Sequence, residues 1–149
     1  MFNVDWGHMY GLYNPETGVR YENQRNIDVM SEWGPRDSIN SEKVKVPAFN
    51  EGEKLLLSYD YGDGWEFEVN IRKIDDTKEP PKYPYIISGK GLGIIDDIGG
   101  VWSLEDYYNT PEDEMDPELL DWIGREKIDL DKFDKEELNE GLQHPPYWE

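Results

Sequence analysis

The chain has 149 residues, with 34 acidic and 15 basic side chains and a formal net charge of −19. A polyanion of this kind is repelled by nucleic-acid phosphates and anionic lipid, which argues against direct binding to either. There is no Cys, so disulfides, thiolate nucleophiles and Cys-ligated metals are excluded, while six Trp, ten Tyr and four Phe supply the buriable surface that a disordered chain lacks.

The length suits one domain over residues 1–149. No run stays apolar for the ~18 residues of a membrane span. The start, Met1-Phe2-Asn3-Val4-Asp5-Trp6, has no basic region followed by an apolar one, so a cytoplasmic setting is expected. Charge is uneven along the chain. Residues 1–95 carry 16 acidic and 11 basic side chains, and residues 96–149 carry 18 and 4, a net of −14.

The first segments read as β. His8 to Tyr13 and Val19 to Gln24 flank the turn-rich Asn14 to Gly18 and predict a hairpin. Ser31 to Ser41 and Asp75 to Lys82 collect Gly, Pro, Ser and charge and predict loops. Lys43 to Val46 offers a short strand that Pro47 would end. The clearest unit is Leu55 to Ile74, two alternating runs around Gly62-Asp63-Gly64. A three-residue loop with Gly64 left-handed would pair Tyr61 with Trp65, Tyr59 with Phe67, Leu57 with Val69 and Leu55 with Ile71. All eight then share one face. This register also sets Asp60 opposite Glu66.

The last third reads as helical over about 103–142. Ser103 with Asp106 resembles a capping box for a helix ending before Thr110-Pro111. Asp116-Pro117 is an N-cap followed by Pro at the first helical position, with Leu119, Leu120 and Ile123 as the apolar stripe and Gly124 as terminator. Asp134 and Glu137 form a second box, flanked by Phe133 and Leu138. The tail Gln143 to Glu149 cannot continue a helix through Pro145-Pro146. The expected fold class is α+β, an antiparallel sheet packed by short C-terminal helices. Trp65, Trp102, Trp122, Tyr107 and Tyr108 are expected in its core.

Few standard motifs are present. The acids Asp60, Asp63, Glu66 and Glu68 lack calcium-loop spacing, because Gly stands at 62 and 64. Asp63-Gly64 reads first as turn chemistry. Gly89, Gly91 and Gly93 read as a loop. His8 and His144 are the two imidazoles, the first more simply a hydrogen-bonded structural residue than a ligand and the second solvated. Asp96-Asp97 before Gly99-Gly100 reads as a turn leading into a helix, or as a carboxylate pair for acid–base work.

Tyr59-Asp60-Tyr61-Gly62-Asp63-Gly64-Trp65-Glu66 resembles the Tyr-Asp-Phe-Gly-Asp-x-Trp signature of the plasmid pRiA4b ORF-three-like family. Tyr83-Pro84, Ser88-Gly89-Lys90-Gly91 and Asp96-Asp97-Ile98-Gly99-Gly100 are similar to its second motif. Trp6-Gly7-His8-Met9-Tyr10 is similar to its early Trp-x-x-His-x-Tyr segment, and Trp122, Phe133-Asp134, Asn139 and Leu142 to its C-terminal block. The resemblance implies an α+β fold and an association with plasmids, transposons and phages, but no reaction. It also implies a divergent copy trimmed at its N-terminus, with Phe67 at a family His position and Ile94-Ile95-Asp96-Asp97 where Pro-Pro-Glu-Asp is usual. The family-matched polar residues are His8, Asp60, Asp63, Asp96 and Asp97.

The reading that joins these observations is a non-enzymatic acidic binding protein. Its partner is expected to be a basic protein, such as a nucleic-acid-processing enzyme whose groove accepts a phosphate mimic. Glu112, Asp113, Glu114 and Asp116 are the expected contact surface, and no catalytic residue or cofactor is assigned. The alternative is a metal-assisted hydrolase or small-molecule binder using the five family-matched residues, in which a divalent cation relieves repulsion among the four carboxylates and activates water. A third role has exposed Tyr147 and Trp148 docking into a partner or a second copy.

Overall fold

A computed structural model describes residues 7–34, 37–45 and 49–144. Contacts divide the described residues into a sheet unit, residues 7–34, 37–45 and 49–78 with 99–101, and a helical unit, residues 79–98 and 102–144. The fold is α+β, as expected.

The sheet unit holds five strands. β1 (Tyr10–Tyr13) and β2 (Arg20–Glu22) form the expected hairpin, pairing Leu12 with Tyr21. Asn14 shapes its turn, because its Oδ1 accepts from the backbone of Glu16 and Thr17 at 2.9 and 3.2 Å. α1 (Gln24–Ser31) follows, capped by Asn23, whose side chain accepts from the Asn26 N–H. β3 (Ser38–Asn40) then runs parallel to β2. Two expectations change here. Part of the expected loop Ser31 to Ser41 is a strand, and the sheet is mixed instead of wholly antiparallel, because α1 supplies the crossover that a parallel pair requires. Of the strand expected from Lys43, Lys43 itself closes a 3₁₀ turn, Ser41–Lys43, capped by Asn40, and Val44 and Lys45 lie outside any strand. Val46 and Pro47 lie outside the described residues.

β4 (Lys54–Tyr59) and β5 (Trp65–Asn70) complete the order β3-β2-β1-β4-β5. The expected face is right. Leu55, Leu57 and Tyr59 pair with Val69, Phe67 and Trp65. The expected register is wrong by two residues, and Ser58, not Asp60, faces Glu66. The cause is Asp60. Its φ is +46°, its N–H donates to the Met9 carbonyl at 2.9 Å, and its own carbonyl accepts from Gly64 at 2.7 Å. Those bonds pull Asp60 off the β4–β5 ladder and lengthen the loop to residues 60–64. A shift of two preserves the faces, since side chains alternate with a period of two.

Tyr61 leaves the ladder too and turns to a buried polar network. Its hydroxyl donates to Glu22 Oε1 at 3.2 Å, and Ser38 Oγ donates to Glu22 Oε2 at 2.5 Å. Asn26 Nδ2 donates to the Tyr10 carbonyl at 2.5 Å and to the Tyr61 hydroxyl at 3.4 Å. Glu22 and Asn26 are fully buried. Gly11 makes the space, because a Cβ there would stand 2.9 Å from the Tyr61 hydroxyl.

α2 (Gly100–Asn109), in the helical unit from Trp102 on, ends before Thr110-Pro111 as expected but begins four residues earlier than a Ser103 cap would allow. α3 (Pro117–Ile123) has the expected Asp116 cap on the Glu118 N–H at 2.8 Å, and Gly124 ends it at φ +112°. α4 (Lys135–Gly141) starts at Asp134, whose carboxylate accepts from the Glu137 N–H at 3.0 Å. The core is Ile95, Tyr107 and Met115, packed by Leu104, Leu119, Leu120, Ile123 and Ile128. The buried Tyr107 hydroxyl accepts from the Ile128 N–H at 2.6 Å. Asn139 fixes the extended segment before this core, donating to and accepting from the Ile86 backbone at 3.1 and 2.6 Å. Among the described residues, no helix is long and apolar enough to cross a membrane.

Candidate functional site

Two constellations carry the residues that the sequence singled out. The first lies in the sheet unit at the end of β4. Asp60 is buried and left-handed, a conformation for which Asp is among the more tolerant side chains. Its Oδ1 accepts from the Gly62 N–H at 3.0 Å, an Asx-type bond that tightens the loop. Its Oδ2 lies 3.5 Å from His8 Nδ1. The His8 ring stands edge-on to Tyr59, with centroids 5.8 Å apart. His8 is thus held by an aromatic neighbour and a carboxylate together, an arrangement that suits a hydrogen-bonded imidazole or a ligand pair.

Asp63 turns elsewhere. Its Oδ2 accepts from the Gly99 N–H at 3.0 Å. Its carbonyl oxygen lies so near Gly100 that a Cβ there would collide with it, and Gly100 has φ +84°. The Gly pair of the second motif is therefore explained by close backbone approach to the loop of the first. Asp96 and Asp97 belong to the helical unit, Asp97 exposed and left-handed at φ +60°. They sit in the turn expected before α2.

The second constellation lies in the helical unit. Glu112–Glu114 form a 3₁₀ turn, and Met115 drops from it into the core. That anchor leaves Glu112, Asp113, Glu114 and Asp116 all exposed. Beside them is a groove of about 520 Å³, lined by Trp102, Asp106, Tyr107, Glu114, Asp116 and Leu119 among others.

The aromatic expectation needs correction here. Trp65 and Tyr107 are buried, but Trp102 is 82 % exposed, Trp122 53 % and Tyr108 48 %. The helix face toward Ile95 and Met115 is filled by Leu104 and Tyr107, so Trp102 falls on the rim. Tyr108 donates to Asp131 at 2.8 Å, and this bond holds the phenol above its ordinary value. Tyr147 and Trp148 lie outside the described residues.

The sequence reading missed Glu22, Asn26, Ser38 and Tyr61. One signal was present: Gly11 inside an otherwise bulky strand marks a close approach of another group.

A family model described as plasmid pRiA4b ORF-3-like protein matches residues 1–139. The chain is also similar to the crystal structure of a protein of unknown function from Methanosarcina mazei Go1. The identity is 27 % and the TM-score 0.60, over 86 % of this chain and 69 % of that one. No curated protein matches.

Proposed function

Starting from the plasmid pRiA4b ORF-3-like family, to which this chain belongs, we propose a non-enzymatic role: an acidic binding protein whose helical unit docks on a basic protein partner. One observation carries the proposal. Trp102 is 82 % exposed on the rim of a groove whose walls include Asp106, Glu114 and Asp116. Interface energy concentrates in Trp, Tyr and Arg, and complementary charge accelerates encounter and fixes the register. The net −14 of residues 96–149 supplies the long-range attraction.

The finer form of the proposal is a mobile-element or phage inhibitor that occupies the basic groove of a host nucleic-acid enzyme, of the anti-restriction or anti-CRISPR kind. The carboxylates would stand where phosphates bind. The test is inhibition of a panel of purified restriction and CRISPR nucleases by the full chain in low salt. Inhibition of one, relieved by added salt and lost on charge reversal at Glu112, Asp113, Glu114 and Asp116, is expected. Binding that persists undiminished in high salt would overturn the electrostatic account. Failure to inhibit any nuclease removes the inhibitor form.

A second reading is favoured by the 3.5 Å His8–Asp60 contact, which presents an imidazole nitrogen and a carboxylate oxygen together. A divalent cation held there would serve metal-assisted hydrolysis. Calorimetric titration with Mg²⁺, Mn²⁺, Ca²⁺ and Zn²⁺ tests it, with heat that disappears in His8→Ala as the supporting result. No heat and no change in Tm with all four ions would end it.

A further inference from the structure

We infer that the groove beside α2 is an arginine-binding site, taking the side chain of an arginine-rich segment of the partner protein. This rests on the proposed docking of the helical unit and names the chemistry of what it docks on.

Trp102 and Asp106 are four residues apart on α2, so they stand on one face one turn apart. Across from them come Glu114 and Asp116 from the segment that Met115 anchors. The floor is apolar, with the buried Tyr107 and Met115 and the half-buried Leu119. An aromatic plane, an apolar floor and three carboxylates match the three parts of an arginine: a planar guanidinium, a methylene stem and a charge that accepts forked hydrogen bonds. The volume of about 520 Å³ admits such a chain with its neighbours.

Two further observations favour a cation. First, the three wall carboxylates make no ion pair among the described residues, and Asp116 uses one oxygen only to cap the Glu118 N–H. Second, one ring of the floor, Tyr107, already has a cation of its own chain beside it. Lys127 Nζ lies 5.8 Å over the Tyr107 ring and donates to the Tyr108 and Thr110 carbonyls at 2.8 and 2.7 Å. The Tyr108 carbonyl belongs to the last turn of α2 and Thr110 directly follows that helix, whose C-terminal dipole is negative. Arginine is preferred over lysine because a flat, weakly hydrated guanidinium stacks on an exposed indole, whereas an ammonium keeps its water.

The test is titration of the full chain with nona-arginine and with nona-lysine in 50 mM NaCl, read by tryptophan fluorescence and calorimetry. Nona-arginine is expected to bind tighter. Trp102→Ala is expected to cost it about 5-fold in affinity or more, while nona-lysine changes less. Trp102→Phe, which keeps a ring, should lie between and guards against misfolding of the alanine variant. Asp106→Asn with Glu114→Gln and Asp116→Asn should weaken both peptides. Nona-arginine binding that is equal in wild type, Trp102→Ala and the triple variant would overturn the groove while leaving an acidic docking protein. Equal affinity for the two peptides would overturn the preference for arginine. Binding of neither peptide to the wild type would overturn the groove and the docking proposal together.

Discussion

Tyr61→Phe removes one oxygen and no apolar contact, so it isolates the buried network of the sheet unit. The Tyr61 hydroxyl donates to Glu22 Oε1 at 3.2 Å, and Glu22 is fully buried. Leaving a buried acceptor without its donor costs about 1–3 kcal/mol, and that is the expected loss. Asn26 Nδ2 forfeits only its longer contact of 3.4 Å and keeps the Tyr10 carbonyl at 2.5 Å. The expected Tm therefore falls by roughly 2–12 °C, at about 2–4 °C per kcal/mol for a chain of this size. Urea unfolding followed by circular dichroism measures the change as a lower midpoint at constant slope. Ser38→Ala removes the second donor to the same carboxylate, so the double variant should depart from additivity by about 0.5 kcal/mol or more. A loss below about 0.5 kcal/mol for Tyr61→Phe, the size of an ordinary surface change, would refute the reasoning.

Gly100→Ala should destabilise by at least about 1 kcal/mol, because the residue sits at φ +84° and a Cβ would strike the Asp63 carbonyl; unchanged urea unfolding would contradict this. Asp116→Ala should cost about 1 kcal/mol through loss of the cap on Glu118, whereas Asp116→Asn, which keeps an accepting oxygen, should cost only a fraction of that in the same assay. The Tyr108 phenol is held above the ordinary 10.0 by its bond to Asp131. A raised value in the folded state means that this bond is intact below about pH 10 and is lost as pH climbs through the raised value. The difference in phenolate absorbance between wild type and Tyr108→Phe should accordingly titrate above 10.0, and a midpoint below that would be wrong for this geometry.

What the sequence revealed were features set by near neighbours. The Asp116 and Asp134 caps, the Gly124 terminator and the face shared by Leu55, Leu57 and Tyr59 depend on residues a few positions apart. The hairpin register does not. It is decided by the bond from Asp60 to Met9 and by the turn of Tyr61 toward Glu22, both long-range in the chain. α1 was hidden for a similar reason, since its one buried residue is Asn26, a polar side chain that gives no apolar periodicity. The aromatic error is of another kind. A tryptophan in a helix contributes the same signal whether it packs inward or stands on a rim, and only the filled core of Leu104, Tyr107 and Met115 shows that Trp102 stands outside. The acidic residues were legible as a surface from composition alone, but the groove beside them was not, because Trp102, Asp106, Glu114 and Asp116 meet only through the packing of Met115.

The central claim is that the acidic face of the helical unit binds a basic partner. Its most direct test compares nona-arginine affinity for the wild type and for the variant Glu112→Lys, Asp113→Lys, Glu114→Lys, Asp116→Lys, each at 50 and 300 mM NaCl. The account predicts binding to the wild type that weakens steeply with salt, as screening shortens the reach of the charges, and loss of binding in the variant at both concentrations. Affinity that is the same in the two proteins, or that ignores the salt, would contradict it.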